Sequence, residues 1–237
     1  MKKVNINGIP FKVEGDIHFW EIIETWEKHS FAILDKFLNK ENVFIDCGTW
    51  NGVLSLYASK ACKSVIGFEP DQTAHANAQV NVGINDIENI EIYNVGLSNK
   101  AGLEKLYIRN EGDSVSSLID RVDENYKAKS TKNIAVIQLS KFLESRQLNI
   151  GLIKIDIEGG ETIVIPEMEQ YIRINKPNMY ISFHPNWFIE KEKSINYFAD
   201  LFSEIYNIFD VNFVEQTKES FIKNLNGTNH CFVFVNK

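Results

Sequence analysis

In the stretch IKIDIEGGE, Lys154, Asp156 and Glu158 alternate with the apolar Ile155 and Ile157. On a strand, that spacing points the three charged side chains to one side. Charges entering the end of a buried strand are unfavourable unless they are paired or belong to a site. The stretch is therefore either an internal Lys–Asp ion pair followed by a helix-capping glutamate, or a set of groups that handles a ligand and its protons. Further along, ISFHP ends an apolar run on His184. Histidine titrates near neutrality and can take a proton from a hydroxyl within hydrogen-bond reach. Asp156 could orient that imidazole, bind a substrate hydroxyl, or act as the base itself. Asp156, Glu158 and His184 would also tolerate a divalent cation such as Mg²⁺, but their spacing is not diagnostic of one, and no metal is expected.

A second cluster lies upstream. FIDCGTWNG sets Asp46 at the end of an apolar run and brackets the following turn with Gly48 and Gly52. Glycines let a backbone bend and approach a ligand closely, and the next helix begins with unpaired N–H groups. A glycine turn after a strand is common, so this spacing needs a companion. It has one in GFEP, which sets Glu69 at the end of the next strand, one strand–helix–strand step on and beside Asp46. A carboxylate there can accept both hydroxyl hydrogens of a ribose. The first loop lacks the close glycine pair of a pyrophosphate-binding turn, and the chain has no Gly-Lys-Ser/Thr pattern for a triphosphate. A nucleoside cofactor without a phosphate fits, and S-adenosylmethionine has that character.

Both clusters need a frame, and the apolar pattern supplies one. A short hairpin is expected around Asn7-Gly8. The following HFWEIIETWEKHSFAILDKFL repeats apolar residues at helical spacing with a phase change near Ser30. Residues 1–42 are expected to form a helical cap or lid. From 43 to 237 the texture alternates: VFIDCG, SVIGFEP, NIEIYNVGL, IGLIKIDIEG and NMYISFHP as strands, with helices between most of them. That alternation predicts an α/β fold with a mostly parallel central sheet. EIYNIFDVNF and HCFVFVN are expected to pair as an antiparallel C-terminal edge. Residues 98–133 depart from the alternation and suggest a hairpin plus a substrate-side insertion, and residues 226–228 suggest a turn.

The 237 residues, 44% of them apolar, can bury one sizeable core. Acidic residues outnumber basic ones 32 to 25, a formal charge of -7, and the basic residues are scattered. A nucleic-acid partner is not expected. No stretch is apolar enough for a signal peptide or a membrane span, and Cys47, Cys62 and Cys231 form no close-spaced motif. A soluble, cytoplasmic protein with free thiols is expected.

FIDCGTWNG, VIGFEPDQTAHANAQVNVGIN, VGLSNKAG, SVSSLI, IKIDIEGGE and ISFHP occur in an order that resembles the FkbM-type methyltransferases over residues 40–210. Cys47, Thr49 and Trp50 stand where that family more usually has Val, Ala and Asn. The resemblance implies a Rossmann-like class I methyltransferase fold and transfer of a methyl group from S-adenosylmethionine to oxygen. It implies that Asp46, Gly48 and Gly52 surround the methionine portion, that Glu69 holds the ribose, that Pro70 and Asp71 shape the adenosine side, and that Gly96 and Leu97 line the adenine. Ser117 matches a recurring serine near the active site. Ser117, Lys154, Glu158 and Trp187 are the expected substrate-side residues, Trp187 being either a wall against a sugar ring or a loop aromatic over the core. The acceptor implied is a small molecule or saccharide, foremost a sugar hydroxyl in a glycan or nucleotide-sugar precursor. A secondary metabolite, a lipid headgroup, a nitrogen acceptor, or a scaffold without activity are the alternatives.

Overall fold

The computed structural model describes residues 1–120, 125, 127–227 and 230–237. Part of the expected insertion (121–124 and 126) and the end of the turn expected at 226–228 fall outside the described residues. The chain opens with a hairpin of β1 (Lys2–Ile6) and β2 (Ile9–Val13), turned by Asn7 and Gly8 at φ 45° and 88°. Two positive-φ residues in a row are what a tight hairpin turn demands. Asp16 caps α1 (Ile17–Ile22) by accepting from the N–H groups of His18 and Phe19. The helical pattern breaks before α2 (Lys28–Phe37), at Glu27 rather than at Ser30, because Glu27 adopts a left-handed backbone (φ 32°, ψ 49°).

The alternating region follows as β3 (Val43–Cys47), α3 (Val53–Ala61), β4 (Ser64–Phe68), α4 (Gln72–Gly83) and β5 (Ile90–Tyr93). NIEIYNVGL, expected as one strand, is two. β5 stays in the main sheet, whereas β6 (Gly96–Leu97) joins a separate three-stranded sheet with β7 (Gly102–Ile108) and β8 (Ser130–Ile137). Two features explain the split. The Asn94 amide donates to the carbonyls of Glu69 and Pro70 where the chain bends, and Gly96 packs closely on β8, where a Cβ would meet Ile134 Cδ1 at 2.8 Å and push that side chain aside. The chain continues as α5 (Leu139–Glu144), β9 (Ile150–Ile155), α6 (Glu161–Asn175), β10 (Met179–Phe183), a 3-10 turn (Pro185–Trp187), α7 (Lys191–Ile205), β11 (Tyr206–Asp210), β12 (Glu215–Gln216), α8 (Lys218–Asn226) and β13 (His230–Asn236).

The main sheet has the order β12-β11-β13-β10-β9-β3-β4-β5. Strands β10, β9, β3, β4 and β5 are parallel, and β13 runs antiparallel to both β10 and β11, giving the expected antiparallel edge. From β3 the chain steps outward to β4 and β5, then returns to lay β9 on the other side of β3. At such a reversal the connections leave in opposite directions and open a crevice beyond the strand ends. The register places Asp46 beside Gly67 of β4 and beside Lys154 of β9, so both sequence clusters converge there.

Strand alternation divides the core between the two faces of the sheet. Val43, Ile45 and Cys47 pack with Ile153, Met168 and Phe198 on one face, while Phe44, Leu152 and Tyr180 pack with Trp20, Phe31 and Leu56 on the other. Full burial of side chains of this size stabilises by about 1.5–3 kcal/mol each relative to exposure, which holds the strand ends in fixed register.

Candidate cofactor and active site

A cavity of about 420 Å³ opens at the switch between β3 and β9. Phe19 and Trp26 from the N-terminal region, and Ser114, Ser116 and Ser117 from the loop after β7, contribute to its walls. Asp46 is buried, and its Oδ2 accepts from Ser55 Oγ at 2.6 Å. Among the described residues, its Oδ1 accepts no hydrogen bond, and Lys154 Nζ stands 3.6 Å from it. A buried carboxylate oxygen left in that state is unfavourable by about 1–3 kcal/mol, and a cationic N–H donor from a ligand would satisfy it.

Glu69 directly follows β4 as a buried carboxylate, taking Trp50 N–H on Oε2 at 2.7 Å and Asp71 N–H on Oε1 at 2.8 Å. Each oxygen keeps acceptor capacity for a hydroxyl. Burial pushes this carboxyl up to about 7; the two N–H groups oppose the shift, and the charges of Asp71 and Asp46 add to it.

The turn between Asp46 and α3 is built by backbone. Gly48 N–H donates to Phe68 O at 3.0 Å, and Asp156 N–H donates to Cys47 O at 3.0 Å, so the turn is clamped between the ends of β4 and β9. Gly48 has φ +85°, and a Cβ there would run into the Asp156 carbonyl oxygen. Gly48→Ala is therefore expected to destabilise the protein by about 3–5 kcal/mol, read as a lowered denaturant midpoint at unchanged slope. A change below about 1 kcal/mol would show that the turn relaxes freely. Trp50 adopts φ 48°, a conformation that side chains other than Gly, Asn and Asp seldom take. Its indole offsets the strain: Nε1 donates to Gly112 O at 3.0 Å, and the ring meets Phe19 edge-on with centroids 4.5 Å apart.

The other cluster surrounds His184. Nδ1 faces Glu161 Oε1 at 3.2 Å, and Nε2 faces Asp156 Oδ1 and Glu158 Oε1, each at 3.6 Å. Glu161, fully buried at the start of α6, also accepts from the N–H groups of Ile157 and Gly159. Burial works against a charged imidazole, but the carboxylates of Glu161, Glu158 and Asp156 outweigh it and raise His184 to about 9. Lys154 lies between Asp46 at 3.6 Å and Asp156 at 3.4 Å and donates to Gly48 O at 3.3 Å. Burial disfavours its charge, yet Asp156, Asp46 and Glu27 raise its pKa above the ordinary lysine value, so it is an ammonium. Asp156, Glu158 and His184 also present three ligand atoms within 4.8 Å of one another, a geometry that could accept a divalent cation.

Of the residues expected at the site, Gly52, Asp71 and Trp187 are not on the cavity wall; the rest are. Gly52 precedes α3 at φ +86° and faces Ala78 of α4, where a Cβ would come within 3.3 Å. Trp187 stacks on the His184 ring, with centroids 4.8 Å apart and planes 7° apart. Ser117 Oγ donates to Glu158 O at 2.7 Å and so ties the loop to IEGGE. Two contributors lack an expected role. Glu161 was visible as the second carboxylate of EGGE, whereas Glu27 had no signal beyond the break in helical phase.

Among solved structures, the fold is similar to an rRNA methylase from Streptococcus thermophilus (TM-score 0.51, 12% identity, covering 87% of this chain and 93% of that one). It is also similar to a TehB-like SAM-dependent methyltransferase from Corynebacterium glutamicum (TM-score 0.50, 12% identity, covering 93% and 95%). The fold is thus that of the class I S-adenosylmethionine-dependent methyltransferases. In sequence, the chain is 29% identical over 134 residues to the ribosomal protein L11 methyltransferase of Clostridium perfringens, a match covering 56% of this chain and 41% of that protein. The chain therefore spans about two fifths of the length of the curated relatives it matches first. Residues 46–217 match the methyltransferase FkbM domain, and the chain belongs to that family.

Proposed function

We propose that the protein is an S-adenosylmethionine-dependent O-methyltransferase acting on a sugar hydroxyl. One observation carries this reading: a single cavity holds Asp46 and Glu69 on adjacent strand ends together with the His184–Asp156 pair. Asp46 Oδ1, which accepts no hydrogen bond among the described residues, suits the ammonium of the methionine portion, and Glu69 suits the two ribose hydroxyls. Pro70, Gly96 and Leu97 then flank the adenine side. The bound donor supplies a methyl group on a positively charged sulfur, ready for direct in-line transfer.

Protein groups must position the hydroxyl and take its proton. Asp156 and His184 act as a coupled pair, and Glu161 fixes the ring between them and Glu158. As the O–CH₃ bond formed and the S–CH₃ bond broke, the hydroxyl proton would pass to the Asp156 carboxylate, because the His184 imidazole, raised to about 9, already carries its proton, and the donor would leave as the thioether. Residues 1–42 serve as a cap and the segment near 98–133 as a substrate-side insertion, supported by Phe19, Trp26 and Ser117 on the cavity wall. The free thiols Cys47, Cys62 and Cys231 support a cytoplasmic setting. Among the described residues, no helix is long and apolar enough to cross a membrane.

Calorimetric titration with S-adenosylmethionine, S-adenosylhomocysteine and NAD tests the donor half. Selective binding of the two sulfur nucleosides is expected; folded protein that binds neither would overturn the reading. An acceptor screen with product mass and bond-position analysis tests the other half, and a methylated nitrogen would exclude oxygen as the target.

A further inference from the structure

Glu27 lies on the cavity wall with Trp26, Ser182 and Cys231, held in a conformation that a non-glycine residue adopts at a cost of about 1–2 kcal/mol. Its surroundings fix it there. Ser30 N–H donates to Glu27 O at 2.8 Å, Ser30 Oγ donates to Glu27 Oε2 at 2.9 Å, and the same hydroxyl meets Tyr180 OH on β10 at 2.9 Å. Ser30 and Tyr180 are buried, so the carboxylate is anchored from behind.

The charge around it is one-sided. Among the described residues, the wall carries six carboxylates, Glu27, Asp46, Glu69, Asp113, Asp156 and Glu158, against two cationic groups, Lys154 and His184. Asp113 has Arg109 Nε at 2.9 Å, Lys154 lies between Asp46 and Asp156, and His184 faces Asp156, Glu158 and Glu161. Burial first, and then the charge of Asp156, raise the Glu27 carboxyl above its ordinary value. S-adenosylmethionine brings one net positive charge, which leaves the excess negative. An anionic acceptor would be repelled from this cavity and a cationic one drawn in. Phe19 and Trp26 add aromatic side chains to the same wall.

We infer that Glu27 is the acceptor-recognition carboxylate, and that the acceptor is an amine-bearing sugar whose ammonium it binds beside the hydroxyl to be methylated. This role rests on the sugar-methyltransferase reading above. The test measures kcat/KM for an amino sugar, its parent neutral sugar, its N-acetylated form and its phosphorylated form, in the native protein and in Glu27→Gln and Glu27→Asp, with donor affinity measured in each. The amino sugar should lead by about tenfold or more, as a charge-assisted hydrogen bond allows. Glu27→Gln should remove that lead, Glu27→Asp should keep it, and all three proteins should bind the donor. Equal use of the four sugars, preference for the phosphorylated one, or a lead that survives in Glu27→Gln overturns the inference and leaves sugar methylation standing. Donor binding without methylation of any of the four sugars overturns the sugar reading, and this inference with it.

Discussion

Replacing His184 by alanine is expected to cut turnover by about 10²–10⁴-fold while changing S-adenosylmethionine affinity by less than about threefold. The imidazole is buried, fixed at Nδ1 by Glu161 and directed at Asp156 and Glu158 by Nε2, so its loss removes the cation that orients the Asp156 carboxylate. The donor-side carboxylates Asp46 and Glu69 belong to other strands and keep their own partners, Ser55 and the N–H groups of Trp50 and Asp71. Single-turnover rates and calorimetric donor affinity separate the two effects. Alanine also leaves three carboxylates facing one another, so His184→Gln, which keeps a neutral donor in the gap, is the companion variant. Undiminished turnover in either variant would remove His184 from the proton path.

Donor affinity should fall with decreasing pH below about 7, approaching tenfold per unit, and Glu69→Gln should abolish that dependence while weakening binding by about 10–100-fold at pH 8. On the proposed reading the ribose hydroxyls donate to the ionised carboxyl, whereas burial holds Glu69 up to about 7 in the unliganded protein, against the N–H groups of Trp50 and Asp71 and with the help of the Asp71 and Asp46 charges. Binding at lower pH must therefore release a proton. Stability carries the opposite sign. The folded pKa lies above the ordinary value of 4.5, so this group's contribution is present below 4.5 and is lost as pH rises through about 7. Unliganded protein thus loses stability from Glu69 over the range in which donor affinity increases. A donor affinity that is flat from pH 6 to 8 would dissociate Glu69 from the ribose.

The central frame was legible because each strand carries its own evidence. VFIDC, SVIGF and IGLIKI are apolar runs closed by glycine or charge, and they emerge as β3, β4 and β9 with their polar ends together. QTAHANAQVNVG likewise forms α4, capped by Asp71. Apolar periodicity identifies a strand but not its partner, so the transfer of Gly96 and Leu97 to a second sheet was invisible until the side chains of β8 were placed against Gly96. The site followed the same rule. Asp46, Glu69, Asp156 and His184 lie within one residue of strand ends and could be assigned from position. Glu27 reaches the cavity only because two helices pack with a left-handed break between them, a tertiary outcome with no local signature. Gly52 and Trp187 show the converse: each adjoins a site motif, yet one faces α4 and the other backs His184.

Trp50 gives the donor end of the cavity and the loop beyond β7 a shared fate. Its backbone amide supports Glu69, and its indole holds Gly112, whose loop continues through Ser116 to Asp71 at 3.1 Å and through Ser117 to Glu158 at 2.7 Å. Ordering any part of this circuit favours the rest, and the free energy by which a bound nucleoside steadies the loop equals the free energy by which a steadied loop favours the nucleoside. On the proposed reading, the loop beside the acceptor position registers whether a methyl donor is in place, so acceptor capture and donor occupancy reinforce each other.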